Sequence, residues 1–244
     1  MLCELQRNTT QKIGKVKIFH FHFVLRSVYT IFAVKNRNRR RIMKLILMST
    51  PYFFVEEHQI LNALFDEGLE VLHLRKPHTE PVYSERLLTL IPETYRKRIV
   101  VHDFFYLKDE YNLKGIHLNH RNPELPPKYK GHISCSCHTS EEVKAHKKVC
   151  NYVFLSPIFN SISKEGYSSH FGMQDLRELA RQKVIDRKVM ALGGVQLDNI
   201  KQVKDLGFGG AVILGDIWNR FSIHSTQDFK DLIQHFRKLR KEAE

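Results

Sequence analysis

The chain has 244 residues, a size for one large domain or two small ones, and its 42% hydrophobic content is ordinary for a globular protein that folds without disulfide or metal staples. No apolar run approaches the roughly 20 residues needed to span a bilayer, which argues against a transmembrane helix. The net charge of +13 raises nucleic acid as a partner, but residues 1–42 hold ten of the 39 Lys/Arg against one acid, Glu4, leaving 43–244 with a balance of 29 to 25 that asks for no more than a small anionic substrate.

Residues 1–42 join a basic aromatic stretch, Lys15 to Val34, to the run Arg37, Arg39, Arg40, Arg41. The apolar part is interrupted by Arg26 and has no small-residue cleavage site, so it resembles neither a signal peptide nor a membrane span. We favour leader sequence upstream of a true start at Met43, because Met43-Lys44-Leu45-Ile46-Leu47 opens a strand directly. A basic appendage that binds membrane or nucleic acid and a transit-like segment are the competing readings.

From Met43 on, short β-type runs alternate with helix-period segments, the pattern of βαβ units around a parallel sheet. Strands are expected at Lys44–Ser49, Leu69–Leu74, Arg98–His102, Gly115–Leu118, Ile133–Ser136, Tyr152–Ser156, Lys188–Leu192 and Gly210–Leu214. Helices are expected near Val55–Glu67, Pro81–Leu90, Phe104–Tyr111, after a capping box at Thr139 and Glu142, near Leu197–Leu206 and near Thr226–Lys241. Eight strands in roughly 200 residues match a single (β/α)8 TIM barrel with a basic N-terminal extension. A doubly wound open sheet is the rival, but no G-x-G-x-x-G follows strand one. Cys135 and Cys137 should point the same way from strand five, as reduced thiols of a cytoplasmic protein rather than zinc ligands.

The chemistry of this fold sits at the carboxyl ends of the strands. Arg75-Lys76 follows strand two and could clamp a phosphate or stand as a solvated pair. His102-Asp103 follows strand three, where a carboxylate could hold Mg²⁺ or cap a helix. His117 alternates with Ile116 and Leu118 and should face inward, and Asn119-His120-Arg121-Asn122 follows it. Ser136 and His138 end strand five; an imidazole there can exchange protons with a bound substrate. Strand six leads into a long loop carrying Ser161, Ser163 and Lys164, without helix or strand periodicity through Gly172. Gly193-Gly194 follows strand seven and Leu214-Gly215-Asp216 follows strand eight, where glycine backbone N–H groups can close on an anion; tight turns alone would also explain them.

These segments resemble the thiamine-phosphate synthase and TenI family over about Met43 to Phe221. The resemblance rests on Gly115-Ile116-His117-Leu118, Ser136-x-His138, Pro157-Ile158-Phe159 with Ser161-x-Ser163-Lys164, Ala191-Leu192-Gly193-Gly194-Val195 and Gly210-Ala211-Val212. It implies a (β/α)8 barrel. Gly193, Gly194 and Gly215 would hold a thiazole phosphate, Ser161, Ser163 and Lys164 would meet phosphate oxygens, Arg75 would meet pyrophosphate and Asp103 would bind Mg²⁺. The departures fall on one half of the site. His73 replaces a Gln, Pro77 a Lys, His102 an Asn, and Asn122 the second Mg²⁺ Asp, so Mg²⁺ is expected only at a weakened site. The resemblance therefore implies a thiamine biosynthesis enzyme. We rank a TenI-like thiazole tautomerase first, with His138 moving the proton. A synthase joining hydroxymethylpyrimidine pyrophosphate to thiazole phosphate comes second, with His102, Lys76 or water replacing missing ligands. A non-catalytic thiazole or thiamine phosphate-binding regulator comes third. The expected partner is a small phosphorylated thiazole, not nucleic acid or membrane, and a homo-oligomer is left open.

Overall fold

The computed structural model describes residues 42–160, 171–221 and 228–244. The expectations for residues 1–41, and for Ser161, Ser163 and Lys164, lie outside them. Eight strands form the wall: β1 Lys44–Met48, β2 Val71–Leu74, β3 Ile99–Val101, β4 Gly115–Leu118, β5 His132–Cys137, β6 Tyr152–Leu155, β7 Val189–Leu192 and β8 Gly210–Ile213. Each pairs in parallel with the next, and β1 pairs with β8, so the sheet closes on itself. The expected TIM barrel is present, and the open-sheet rival is excluded by that last pairing.

The helices are α1 Glu57–Asp66, α2 Pro81–Thr89, α3 Glu93–Arg96, α4 Leu107–Glu110, α5 Ser140–His146, α6 Met173–Arg181, α7 Ile200–Asp205, α8 Gly215–Trp218 and α9 Asp228–Ala243. The face expected for α1 is the buried one, with Ile60, Leu61, Leu64 and Phe65 inside. Pro81 opens α2, where its missing N–H costs nothing. The capping box at Thr139 forms: its side chain accepts from the Glu142 N–H at 3.2 Å, and the Glu142 carboxylate accepts from the Thr139 N–H at 3.3 Å. One helix was not expected. The loop after strand six was expected to run through Gly172, and α6 follows it directly at Met173–Arg181. Its apolar stripe of Met173, Leu176, Leu179 and Ala180 packs on the core with helical spacing, so this helix was readable in the sequence and was missed.

Side chains alternate across the wall. Leu45, Leu47, Leu72, Ile99, Val101, Ile116, Val153, Leu155, Ala191 and Ile213 face the helices and belong to one large apolar cluster. Ile46, Met48, Val71, Val100, Tyr152, Phe154, Met190 and Val212 form a second cluster inside the barrel. Burying one such aliphatic side chain is worth about 1.5–3 kcal/mol. The interior forgoes that gain at His73, His102, His117 and Ser134, all buried and polar. Polar residues are thus concentrated in the interior at β2 to β5, while the helix-facing layer stays apolar. Cys135 and Cys137 point the same way, as expected, into that layer, with sulfurs 3.9 Å apart and Cys150 3.6 Å from Cys135. All three are free thiols. At the opposite, amino-terminal end of the barrel, the Met43 N–H donates to the Ala243 carbonyl at 3.0 Å. Among the described residues, no helix is long and apolar enough to cross a membrane.

Candidate functional site at the carboxyl ends of the strands

On one side of the mouth, Gly193 and Gly194 take positive φ of 96° and 62°. A Cβ on Gly193 would lie 2.8 Å from the Pro157 Cα, and one on Gly194 would lie 2.3 Å from the Asn160 carbonyl oxygen. Only glycine fits either place. The carbonyls here are taken: Leu192 O accepts from the Ile158 N–H at 3.0 Å, Gly193 O from the Phe159 N–H at 3.0 Å, and Gly194 O from Asn199 Nδ2 at 2.8 Å. The N–H groups of Gly193, Gly194 and Gly215 donate no hydrogen bond among the described residues. Asp216 braces this side. Its carboxylate accepts from the Leu197 N–H at 3.0 Å and pairs with His235 Nε2 of α9 at 2.8 Å and Arg220 at 3.3 Å. Trp218 Nε1 donates to Met48 O at 2.7 Å and ties α8 to the end of β1. Asp216 was read only as part of a glycine loop; Leu197 and His235, two of its three partners, lie 19 residues to either side, which no local pattern exposes.

The other side is built from charged side chains. Arg75 is half-buried, and its guanidinium makes no hydrogen bond or ion pair among the described residues. Burial, then the charge of Arg121, press it below its ordinary pKa, and Asp103 opposes them. Lys76 does not join it. This side chain is buried and pairs with Glu57 of α1 at 2.5 Å, donates to Tyr52 O at 2.7 Å and to Thr50 Oγ1 at 3.2 Å, and lies over the Phe53 ring. Burial pushes Glu57 up to about 7 against the pull of Lys76, and its second oxygen has no partner. Lys76 is therefore no stand-in for a missing phosphate lysine.

Asp103 is also engaged. Arg121 Nη2 approaches its two oxygens at 3.0 and 3.3 Å, and Asn122 Nδ2 donates to Oδ1 at 3.0 Å. The pair is partly accessible, at 22% for Arg121 and 15% for Asp103. Mg²⁺ binds hard anionic oxygens. The one carboxylate offered here is already compensated by a guanidinium, and the Asn122 amide nitrogen faces it. The residues present do not fit a Mg²⁺ centre.

Inside the mouth sit three imidazoles. His73 Nδ1 is 2.9 Å from His102 Nε2, and His73 Nε2 is 2.6 Å from the Tyr152 hydroxyl. His117, facing inward as expected, bonds Ser134 Oγ and Ser136 Oγ, each at 2.9 Å. Burial lowers all three pKa values, His117 to about 3, and neighbouring imidazoles add to it. A bond between two ring nitrogens needs one donor and one acceptor, so at least one ring of the His73–His102 pair is neutral, and burial disfavours the charged form of both. Ligand atoms of the three lie within 4.8 Å of one another. Yet the His102 and His117 rings are stacked, 4.1 Å apart and 18° from parallel. A metal lies near the plane of each imidazole at about 2.1 Å from nitrogen, and two stacked planes share no such point. The cluster is a neutral hydrogen-bonded network, and His102 is likewise committed rather than a replacement metal ligand.

His138 ends β5, exposed, with Nδ1 2.9 Å from the Ser156 carbonyl. That carbonyl can only accept, so Nδ1 is the donor, and in the neutral imidazole Nε2 carries the lone pair.

The model of the thiamine monophosphate synthase family matches residues 46–217. The chain belongs to that family. Among curated members, the thiamine-phosphate synthase of Latilactobacillus sakei is 28% identical over 173 residues, covering 65% of this chain and 76% of that protein. The one from Staphylococcus carnosus is 24% identical over 190 residues, covering 73% and 88%. A crystal structure described as thiamine phosphate pyrophosphorylase from Bacteroides thetaiotaomicron is 57% identical, with a TM-score of 0.77 over 82% of this chain and 98% of that one. This member of the thiamine monophosphate synthase family therefore has the expected fold and the expected family. The match begins within three residues of Met43.

Proposed function

We propose that the chain is a thiamine-phosphate synthase, joining hydroxymethylpyrimidine pyrophosphate to thiazole phosphate. This reverses the order of the sequence reading, which put the tautomerase first. The names of the relatives support the change. The geometry that carries it is the pair of separate anion-receptive places at one mouth. Undonated backbone N–H groups at Gly193, Gly194 and Gly215 suit the thiazole phosphate, and the unpaired Arg75 suits the pyrophosphate. In this reading the thiazole nitrogen forms the new C–N bond. The C–O bond to pyrophosphate breaks, and its electrons leave with the pyrophosphate. Charge on the leaving group is met by Arg75. The buried His73 and His102, kept uncharged by burial, add no charge beneath the site, and Ser136 bonds His117. Family members typically use Mg²⁺; no step here is assigned to it, because Asp103 is compensated by Arg121.

A second reading, the thiazole tautomerase, is favoured by one observation: His138 is held by Ser156 with Nε2 open to a substrate proton. One pair of assays separates the two. Incubation with both synthase substrates should release pyrophosphate and form thiamine phosphate. No release, together with isomerisation of the thiazole carboxylate phosphate that drops ~10²–10⁴-fold in His138→Ala, would establish the tautomerase instead. Binding of thiazole phosphate without either turnover would leave a regulator.

A further inference from the structure

We infer that Arg121 takes the place of a metal ion at the anion site of β2 to β4, so that Arg75 and Arg121 together bind a pyrophosphate-class oxyanion without Mg²⁺. The inference rests on the synthase reading for its ligand and on the following geometry for its mechanism.

Arg121 is held against the one carboxylate at this end of β3 that would otherwise be offered to a cation. Its Nη2 lies against Asp103, at the end of β3. The backbone after β4 fixes it there. Asn119 Oδ1 accepts from the Arg121 N–H at 3.0 Å and the Asn122 N–H at 3.3 Å, and Asn119 and Asn122 exchange two backbone hydrogen bonds at 3.0 and 3.1 Å. Asn119 Nδ2 and Asn122 Nδ2 both donate to His102 O at 3.0 Å, so the turn is tied to β3. A guanidinium has five N–H donors in a planar fork. The Asp103 contact uses Nη2, and no bond from Nε or Nη1 to a described residue is present.

The charges favour the same conclusion. Arg75 and Arg121 are close enough to depress the Arg75 pKa, and Asp103 offsets them in part. Both also act on the buried His102 and His117 and help keep them neutral. Two guanidiniums against one carboxylate leave the site a net cation with nothing bound. A Mg²⁺ arriving there would have to displace Arg121 from Asp103 in the presence of a second guanidinium, Arg75. An oxyanion meets the opposite situation, two half-dry guanidiniums with donors to spare and geometry suited to bidentate contact. Asn122 then becomes intelligible. A second carboxylate at that position would cancel the excess charge, whereas the amide of Asn122 orients Asp103 through a hydrogen bond.

The test is a calorimetric titration of inorganic pyrophosphate into the intact chain, in EDTA and in Mg²⁺. Binding is expected in EDTA, with no tightening by Mg²⁺ once pyrophosphate complexation in solution is subtracted. Arg121→Gln should weaken it roughly tenfold to a hundredfold, the loss of a charged hydrogen bond, and Arg121→Lys should restore part of the affinity. Asp103→Asn should bind as well as wild type or better. Binding that appears only with Mg²⁺ and vanishes in Asp103→Asn would overturn the inference, as would no pyrophosphate binding in either buffer. Should Arg121→Gln fail to fold, the metal comparison and Asp103→Asn still decide. Turnover is a separate matter. Strictly Mg²⁺-dependent synthase activity would sink this inference and leave the proposed function standing, whereas metal-free, Arg121-dependent binding without pyrophosphate release from the two substrates would do the reverse.

Discussion

The two sides of the mouth receive anions by different means. Around β7 and β8 the donors are backbone N–H groups on glycines, and the side chains nearby brace them from behind through Asp216 and Trp218. Around β2 to β4 the donors are side chains; at this mouth, among the described residues, Lys76 pairs with Glu57 and Asp103 with Arg121, while Arg75 has no such partner. A backbone site is set by φ and close packing, so it tolerates little substitution and keeps its motif. A side-chain site can be rewired one residue at a time while the barrel is unchanged. That is why the departures from the family pattern gather on one half of the mouth.

The largest effect should come from splitting the Lys76–Glu57 pair. Leaving one buried charge alone costs about 3–5 kcal/mol, whereas replacing both with apolar groups of similar size is often neutral. Chemical denaturation of Lys76→Met should show that loss, and Glu57→Leu/Lys76→Met should recover most of it. Equal losses in single and double variants would mean that the pair is not the closed unit described. On the glycine side, Gly194→Ala should cost about 1–3 kcal/mol from its backbone alone, with more from the Asn160 carbonyl, and should lower phosphate affinity. An unchanged affinity for inorganic phosphate would remove loop seven from the site.

The smallest effect is one of slope. The folded state holds His117 down to about 3 and His132 to about 4, mainly by burial, while unfolded imidazoles take up protons below about 6.5. Stability from these groups is therefore full above that pH and declines as pH falls toward 3. Glu57, pushed up to about 7, titrates in the opposite sense, its contribution falling as pH rises. The informative quantity is then the difference between wild type and His117→Gln in Tm against pH, with the variant shallower between pH 6.5 and 4. Parallel curves would show that His117 ionises as freely in the folded protein.

The strands were legible in the sequence because most are short, nearly continuous apolar runs buried on both faces, and all eight lie within two residues of their expected bounds. The glycine half of the site was legible for a related reason: positive φ at a fixed strand end leaves a local mark. The rest depends on closure of the barrel. His73 meets Tyr152 across 79 residues of chain, and Lys76 turns back to a glutamate on the first helix. Arg75-Lys76 looks like one basic pair in sequence, yet alternation sends the two side chains to different environments. Arg121 stood in plain view between His120 and Asn122. Its meaning depends on Asp103, which a run of residues cannot place beside it.

The hydrogen bond from Met43 to Ala243 has a practical side. The first strand and the last helix finish next to each other, at the end of the barrel away from the mouth. In a variant cut before Met43, a short flexible linker could join them, and new termini could be opened in a loop at that same end. Such a circular permutant would carry the mouth unaltered, because none of the residues that line it lies near the seam.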